Sequence, residues 1–317
     1  MMEHSIKTAG IDTGKERLDV ALDGGGELQV ANGKAGHRQL AAWLRRQAVR
    51  RVGIEASGGY ERGVVAHLRA EGFEVAVMQP RQVRAYAVFR LQRAKTDRID
   101  AAMIAACAAA AREIRAAPDP HVEALTGPLT LIEQIEEDIA RWKTRRESTR
   151  GAAEQRFVEH EVDRLKARRL LALKRLALAV RARTDLAARL DLLLSIAGIG
   201  ERTAITLLLR MPELGTLTRE EAAALAGLAP FPDDSGNRHG LRRIAGGRSR
   251  VRRSLYAAAL PAAFRWNLAL VALYRRLIAK GKPHKLALVA CARKLLIFAN
   301  VVLQRGTPWT AATTHGV

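Results

Sequence analysis

Cysteine is almost missing from this chain. Cys107 and Cys291 are its 2 thiols. They fall on separate expected helices with no CxxC spacing, which excludes a disulfide framework and a cysteine zinc site and leaves both as core thiols. Acidic residues are scarce relative to basic ones: 32 Asp and Glu stand against 53 Lys and Arg, giving a net charge of +21 and a pI near 11.1. The positive charge is spread over several segments instead of gathering on one amphipathic helix, which favours a nucleic-acid partner over a membrane surface. Long uninterrupted apolar runs are also missing. Met1 to Gly10 offers no extended apolar region, so no secretory leader is expected and the compartment reads as cytoplasmic. Leu286 to Leu303 approaches membrane length, but Arg293 and Lys294 break it in the middle, so it reads as a buried helix and no membrane partner is expected.

The 317 residues allow two domains and a sizeable core. Short apolar runs over Ile6–Ile11, Arg17–Leu22 and Glu27–Ala31, punctuated by Asp12–Gly14 and Asp23–Gly26, predict three strands joined as hairpins. A helical period follows through Leu40, Trp43, Leu44 and Ala48. Then come a strand Arg51–Glu55, a helix from about Tyr60 to Glu71 and a strand Glu74–Met78. This order gives a mixed α/β sheet covered by helices, the order used by ribonuclease-H-like nucleases. From Pro118 to Leu194 the pattern is long, charged and helical, with Ile132, Ile135, Ile139 and Trp142 on one face and interruptions expected at Gly127-Pro128 and Gly151. That stretch reads as a helical or coiled-coil spacer, either a solvated linker within one protomer or a dimerising arm. Beyond Ser195 the chain is again globular and mostly helical, with a Gly-, Pro- and Asp-rich loop from Ala229 to Gly247. The expected domains are therefore 1–117, 118–194 and 195–317.

Four carboxylates stand out against the basic background. Asp12 follows the first strand and Glu55 ends the fourth, where Gly58 and Gly59 let a phosphate approach. In Lys95-Thr96-Asp97-Arg98-Ile99-Asp100, Thr96 is a plausible N-cap, and the i, i+3 spacing puts Asp97 and Asp100 on one helix face. Carboxylate oxygens suit hard Mg²⁺ or Mn²⁺, and two such ions can hold the attacking and leaving oxygens of a phosphoryl displacement. Taken singly, such acids more often have a structural role, Asp12 ending a strand in a turn and Asp97 and Asp100 stabilising a helix N-terminus. Taken together, with Arg81, Arg84, Arg90, Arg93, Lys95 and Arg98 around them, they point to a metal site. Asp19 and Asp23 sit where hairpins need polar residues and read as structural.

Two segments of the C-terminal region carry further signals. Leu193 to Ala204, with Gly198-Ile199-Gly200 at its centre, fits a helix-hairpin-helix whose turn offers backbone N–H groups to a phosphate; a tight interhelical turn is the alternative. Asp233-Asp234-Ser235-Gly236-Asn237-Arg238 lies beside Arg242, Arg243, Arg248, Arg250, Arg252 and Arg253. Ser235 on this glycine-flanked loop is a candidate nucleophile toward phosphate, with Ser249 and Ser254 equally eligible on composition alone. Arg93, Lys95, Arg98, Gly198, Gly200, Arg238, Arg242, Arg243 and Arg248 are the expected nucleic-acid contacts.

In combination, the Gly-Ile-Asp opening, Ile54 to Tyr60, Lys95 to Ala101, the Gly198 turn, Ala226 to Pro230, Asp234-Ser235-Gly236 and Gly281 to Leu296 resemble the IS110 family of bacterial insertion-sequence transposases. The region from Pro118 to Ala188 resembles it least. The resemblance implies a RuvC-like DEDD domain with Asp12, Glu55, Asp97 and Asp100 on Mg²⁺, and a C-terminal transposase domain whose Ser235 attacks DNA. It further implies donor and target DNA as substrates, a structured noncoding guide RNA, and dimers pairing into tetramers. A RuvC-like junction nuclease using metal-bound water and a noncatalytic nucleic-acid scaffold are the competing readings.

Overall fold

Alternation of large and small residues along the first strands decides which face of the sheet each element covers. The computed structural model describes residues 6–92, 97–111, 114, 119–231, 234–235, 238–239 and 243–310. It divides into two compact units, Met1–Ala117 and Pro118–Val317. The first holds β1 (Thr8–Thr13), β2 (Arg17–Leu22), β3 (Glu27–Ala31), α1 (Lys34–Arg46), β4 (Arg51–Glu55), α2 (Arg62–Ala70), β5 (Glu74–Met78), α3 (Pro80–Phe89) and α4 (Asp97–Ala110). Its five-stranded sheet has the order β3-β2-β1-β4-β5. The β1–β2 and β2–β3 pairs are antiparallel, and β1–β4 and β4–β5 are parallel. This mixed sheet is compatible with a ribonuclease-H-like domain.

One face of the sheet carries Ala9, Ile11, Val52 and Ile54, which pack with Leu40 and Leu44 of α1 and Val64 and Leu68 of α2 in one core. The other face carries Gly10 and Gly53, and α4 lies across them. A Cβ at Gly10 would stand 2.1 Å from the Ala101 carbonyl oxygen, and one at Gly53 would stand 2.6 Å from the Ala108 methyl. Ala101, Ile104, Ala105 and Ala108 of α4 are fully buried in this contact. Only glycine on the strands and mainly alanine on the helix allow backbones this close.

The second unit holds α5 (Pro120–Ser148), α6 (Ala152–Arg181), α7 (Thr184–Leu194), α8 (Glu201–Arg210), α9 (Arg219–Ala226), α10 (Ser249–Pro261), a π-helical turn (Ala262–Trp266), α11 (Leu268–Ala279) and α12 (His284–Arg305). Helices α5 and α6 form an antiparallel hairpin. Trp142 meets Phe157 edge-on at 6.0 Å, Arg146 pairs with Glu159 at 2.6 Å, and Arg169 lies 3.7 Å from Glu136. The helix runs through Gly127-Pro128, where an interruption was expected; the side-chain-free Gly127 before the proline avoids the clash that normally keeps that position out of a helix. The expected boundary after Leu194 falls inside a core. Val122, Leu129 and Ile132 of α5 and Leu176, Ala177 and Val180 of α6 are buried together with residues of α7 to α12, because the open end of the hairpin has apolar positions that need cover.

By length and composition α12 could cross a membrane. Its Leu288, Cys291, Ala292, Leu295, Leu296 and Ala299 are instead fully buried in the core of the second unit, where α12 packs on α7, α9, α10 and α11. Burial pushes the Cys291 thiol up to about 11 and raises that of half-buried Cys107, as befits core thiols.

Gly10→Ala should lower unfolding stability by about 1–3 kcal/mol or more, through overpacking against the α4 backbone. Gly33→Ser, at the α1 N-cap where a new Cβ meets nothing within 4 Å, should stay within about 0.5 kcal/mol of the parent. Urea denaturation of the two variants checks the contrast.

Candidate active site

Helix α4 has a direction that matters. Arg51, at the start of β4, donates from Nη1 to the carbonyls of Ala108 (3.2 Å) and Ala111 (2.8 Å), closing the C-terminal end of α4. Glu74 holds this buried guanidinium from the other side, at 3.1 Å from Nε. With its C-terminus at the start of β4, α4 must begin at the end where β1 and β4 finish. The register pairs Gly10 with Gly53 and Ile11 with Ile54, so Asp12 and Glu55 come next, on adjacent parallel strands. The period of two places Asp12 on the face of Gly10 and Glu55 on the face of Gly53, toward α4. Asp12, Glu55 and the α4 N-terminus carrying Asp97 and Asp100 therefore converge at one end of one sheet face.

Asp12 lies within β1 and not after it, because the β1–β2 ladder extends to Thr13 opposite Leu18. Asp12, Glu55 and Asp100 are partly exposed. Only the backbone of Asp97 and Arg98 is described, and Arg93, Lys95 and Thr96 lie outside the described residues. Among the described residues no three His, Cys, Asp or Glu side chains approach closely enough to hold a metal ion. The donor chemistry of the convergent acids, oxygen throughout, nevertheless suits a hard divalent cation.

Asp19 belongs to the same neighbourhood. It stands directly opposite Asp12 in the β1–β2 register, where two carboxylates would repel. Arg17 (3.3 Å) and Gln29 (2.6 Å) engage its two oxygens and offset that repulsion. The short turn between β1 and β2 was the signal in the sequence: it fixes the register that sets these residues face to face. Asp23 follows β2, and its amide continues the β1–β2 ladder by donating to the Thr8 carbonyl at 2.9 Å.

Two further residues position the strand ends. Asn32 donates from Nδ2 to the Gly14 carbonyl (2.8 Å) and the Tyr60 carbonyl (3.1 Å), tying together the loops that leave β1 and β4. Its Oδ1 is 2.8 Å from His37 Nε2, which must then donate. Burial and, secondly, the neighbouring His67 hold His37 below its usual range. After Glu55, the Glu61 carboxylate accepts from the amides of Ser57 (3.1 Å) and Gly59 (2.8 Å) and from the Ser57 hydroxyl (3.2 Å). Burial pulls the Glu61 pKa up, but these hydrogen bonds together outweigh it and leave it below the usual value of 4.5.

In the second unit, α7 and α8 flank the Gly198-Ile199-Gly200 turn. Gly198 has φ +102° and lies against Ala262, whose methyl would be 2.4 Å from an added Cβ. Gly200 is exposed at the α8 N-cap, where an added Cβ would meet nothing within 4 Å. The expected loop around Ser235 contains two short ladders: Pro230–Phe231 (β6) pairs with Arg243–Ile244 (β9), and Asp234–Ser235 (β7) pairs with Arg238–His239 (β8). The Ser235 backbone is thus in a strand opposite Arg238. The side chains of Ser235, Arg238 and Arg243 are not among those described, and Gly236, Asn237 and Arg242 lie outside the described residues.

Several arginines of this basic region are already engaged. Arg248 forms a double hydrogen bond with Glu213 (2.8 and 2.6 Å) and reaches the Arg210 carbonyl at 3.0 Å, a contact that fixes the start of α10. Buried Glu133 of α5 accepts from Arg210 at 2.8 Å and from Arg250. Glu136 binds Arg202 twice (3.0 and 2.8 Å), and Glu137 accepts from Arg253 at 2.8 Å. The three glutamates of α5, with Arg202, Arg250 and Arg253, line a groove of about 660 Å³ that also contains Ser254, whose hydroxyl meets that of Thr203 at 3.2 Å.

An acid-bearing mixed sheet in one unit and a basic helical second unit are compatible with an enzyme of the transposase and recombinase kind, and comparison with known proteins gives that class. Residues 9–149 match a transposase domain of the IS110 DEDD type, and residues 190–275 match the domain described as Transposase IS116/IS110/IS902 family. The chain belongs to the IS110 family of transposases. It is 24% identical over 311 residues, 95% of its length and 96% of the relative's, to the pilin gene-inverting protein of Moraxella bovis. The pilin gene-inverting protein of Moraxella lacunata matches to the same extent, 24% over 311 residues. A 43.6 kDa protein of insertion element IS110 from Streptomyces coelicolor is 34% identical over 128 residues, 39% of this chain and 31% of that protein.

Because the Glu61 pKa is depressed on folding, its contribution to loop stability is complete above the unfolded value of about 4.5 and is lost as pH falls through the lower folded value. Hydrogen-exchange protection of the Ser57 and Gly59 amides should therefore be higher at pH 6 than at pH 3.5. In Glu61→Gln it should be low at both.

Proposed function

We propose that this protein cuts and rejoins DNA by phosphoryl transfer, with Asp12, Glu55, Asp97 and Asp100 of a ribonuclease-H-like domain holding Mg²⁺, or Mn²⁺ in its place. The reading is carried by the convergence of Asp12, Glu55 and the α4 N-terminus at one end of the sheet, enforced by Gly10 and Gly53. Bound there, a divalent cation supplies neutralisation of phosphate charge and polarisation of the phosphorus for attack. Arg17 and Asn32 are positioning residues, one balancing Asp19 beside Asp12 and the other holding the two strand-end loops together.

Ser235 is the proposed nucleophile. Its Oγ forms a bond to phosphorus as the bond to one sugar oxygen breaks; the serine proton passes to a base, and the leaving sugar oxygen takes up a proton. A second strand's hydroxyl reverses the step, so the phosphodiester energy is kept in the phosphoserine and no nucleotide cofactor is needed. The near full-length relatives named for gene inversion support such conservative rejoining. The helix-hairpin-helix turn at Gly198 and Gly200, with Arg93, Lys95, Arg98, Arg238, Arg242 and Arg243, contacts phosphates. Donor and target DNA, a structured guide RNA and a homodimer that pairs into a tetramer complete the proposal.

On a plasmid carrying element ends, Asp12→Asn, Glu55→Gln and Asp100→Asn should each lower strand cutting by about 100-fold or more, the scale of losing a charge-stabilising group. Chelation should do the same, reversibly on adding Mg²⁺. Ser235→Ala should abolish the protein–DNA adduct seen on a denaturing gel. Rejoined product from Ser235→Ala at the parental rate would overturn the serine step, and full activity in the carboxylate variants would overturn the metal assignment.

A further inference from the structure

The bend between α10 and α11 presents an aromatic surface that the proposed chemistry does not use. The chain turns there by 95°. Asn267, fully buried at the corner, donates from Nδ2 to the Ala197 carbonyl at 3.0 Å and caps α11 by accepting from the Leu270 amide at 3.3 Å. Ala262, at the start of the π-helical turn, is buried against Gly198. The corner is therefore anchored from inside, and its outer side is left apolar: Phe264 is 52% exposed, Trp266 65% and Leu268 77%. Phe264 lies edge-on to Tyr274 at 5.1 Å and nearly parallel to His284 at 6.2 Å, and the Tyr274 hydroxyl is 2.7 Å from His284 Nδ1. π-Helical turns are rare and concentrate at functional sites.

The charge around these rings points to one kind of partner. No Asp or Glu occurs after Asp234. Arg265, Arg275, Arg276, Lys280, Lys282 and Lys285 are exposed on the π-helical turn, on α11 and around the start of α12, and among the described residues none of them forms an ion pair. An apolar protein surface laid on the rings would leave these cations without counter-charge. A polyanion with flat apolar faces satisfies both. Duplex DNA keeps its bases stacked inside, whereas an unpaired strand offers them to exposed rings while its phosphates meet Lys and Arg.

We infer that Phe264, Trp266 and the Tyr274–His284 pair form a stacking platform for single-stranded DNA, with the six surrounding cations on its backbone. The choice of DNA rests on the recombinase reading above, in which strands are opened during exchange. The platform binds strand and performs no chemistry, so it is tested apart from that reading, in EDTA.

The full chain is titrated with a fluorescent single strand of about 20 nucleotides, with the matching duplex, and with RNA of the same sequence. Trp266→Ala and Phe264→Ala should each weaken single-strand binding by about 10-fold or more and leave duplex binding unchanged, while Trp266→Phe keeps most of the affinity. Lys282→Ala should reduce the slope of log affinity against log salt by about 0.7. Because the titrations contain no free metal, a failed metal assignment would not imitate a failed platform. Parental single-strand affinity in Trp266→Ala and Phe264→Ala, an equal loss on duplex, or tighter binding of the RNA would each overturn the inference. So would a concentration-dependent dimer that dissolves in Trp266→Ala while DNA binding stays intact, which would make this face a contact between copies.

Discussion

The seating of α4 on Gly10 and Gly53 is the contact on which the arrangement of the acids depends. A helix resting on ordinary side chains stands roughly 10 Å from a sheet. Here strand glycines opposed by Ala101, Ala105 and Ala108 bring backbone to backbone. Arg51 fixes where the helix stops, by capping its last carbonyls from the start of the neighbouring strand. Once its stop and its line are set, the helix can begin only at the strand ends that carry Asp12 and Glu55. A like-charged cluster is costly to assemble in the absence of cations. Rigid packing remote from the acids holds them together, so their own repulsion does not decide their position.

The loops beyond those strands are held by polar contacts of a different kind. Asn32 joins the two loops by donating to one carbonyl of each, and Glu61 gathers the amides behind Glu55. Each satisfies backbone groups that two successive turns leave without a ladder partner.

The second unit handles charge unevenly. Glu133, Glu136 and Glu137 on α5 and Glu213 before α9 take up arginines from α8 and the start of α10, knitting the helices together through ion pairs that range from the buried Glu133 to the more exposed Glu137. The carboxylates stop short of the bend, where lysines and arginines surround exposed rings. Positive charge near the helical core therefore serves folding, and positive charge at the corner faces outward. A count of basic residues cannot separate these two roles, since partners such as Glu133 and Arg250 lie more than a hundred residues apart in the chain.

Short-range physics made much of this protein legible in its sequence. The hairpins at Gly14 and Gly24, the alternating strands and the i, i+3 spacing of Asp97 and Asp100 are local patterns, and local sterics determine them. The family, too, was readable from motifs that are contiguous in the chain. What tertiary structure alone decided is which distant groups meet. Asp19 came opposite Asp12 through strand register, Asn32 bridged the loops at Gly14 and Tyr60, and the expected spacer became part of a helical core because its apolar end needed cover. Arg248, expected on a phosphate, is held by Glu213. The physical reason is common to all of these. Periodicity records which face a side chain takes on its own element, while the partner across that face is set by the packing of elements that the chain brings together only on folding.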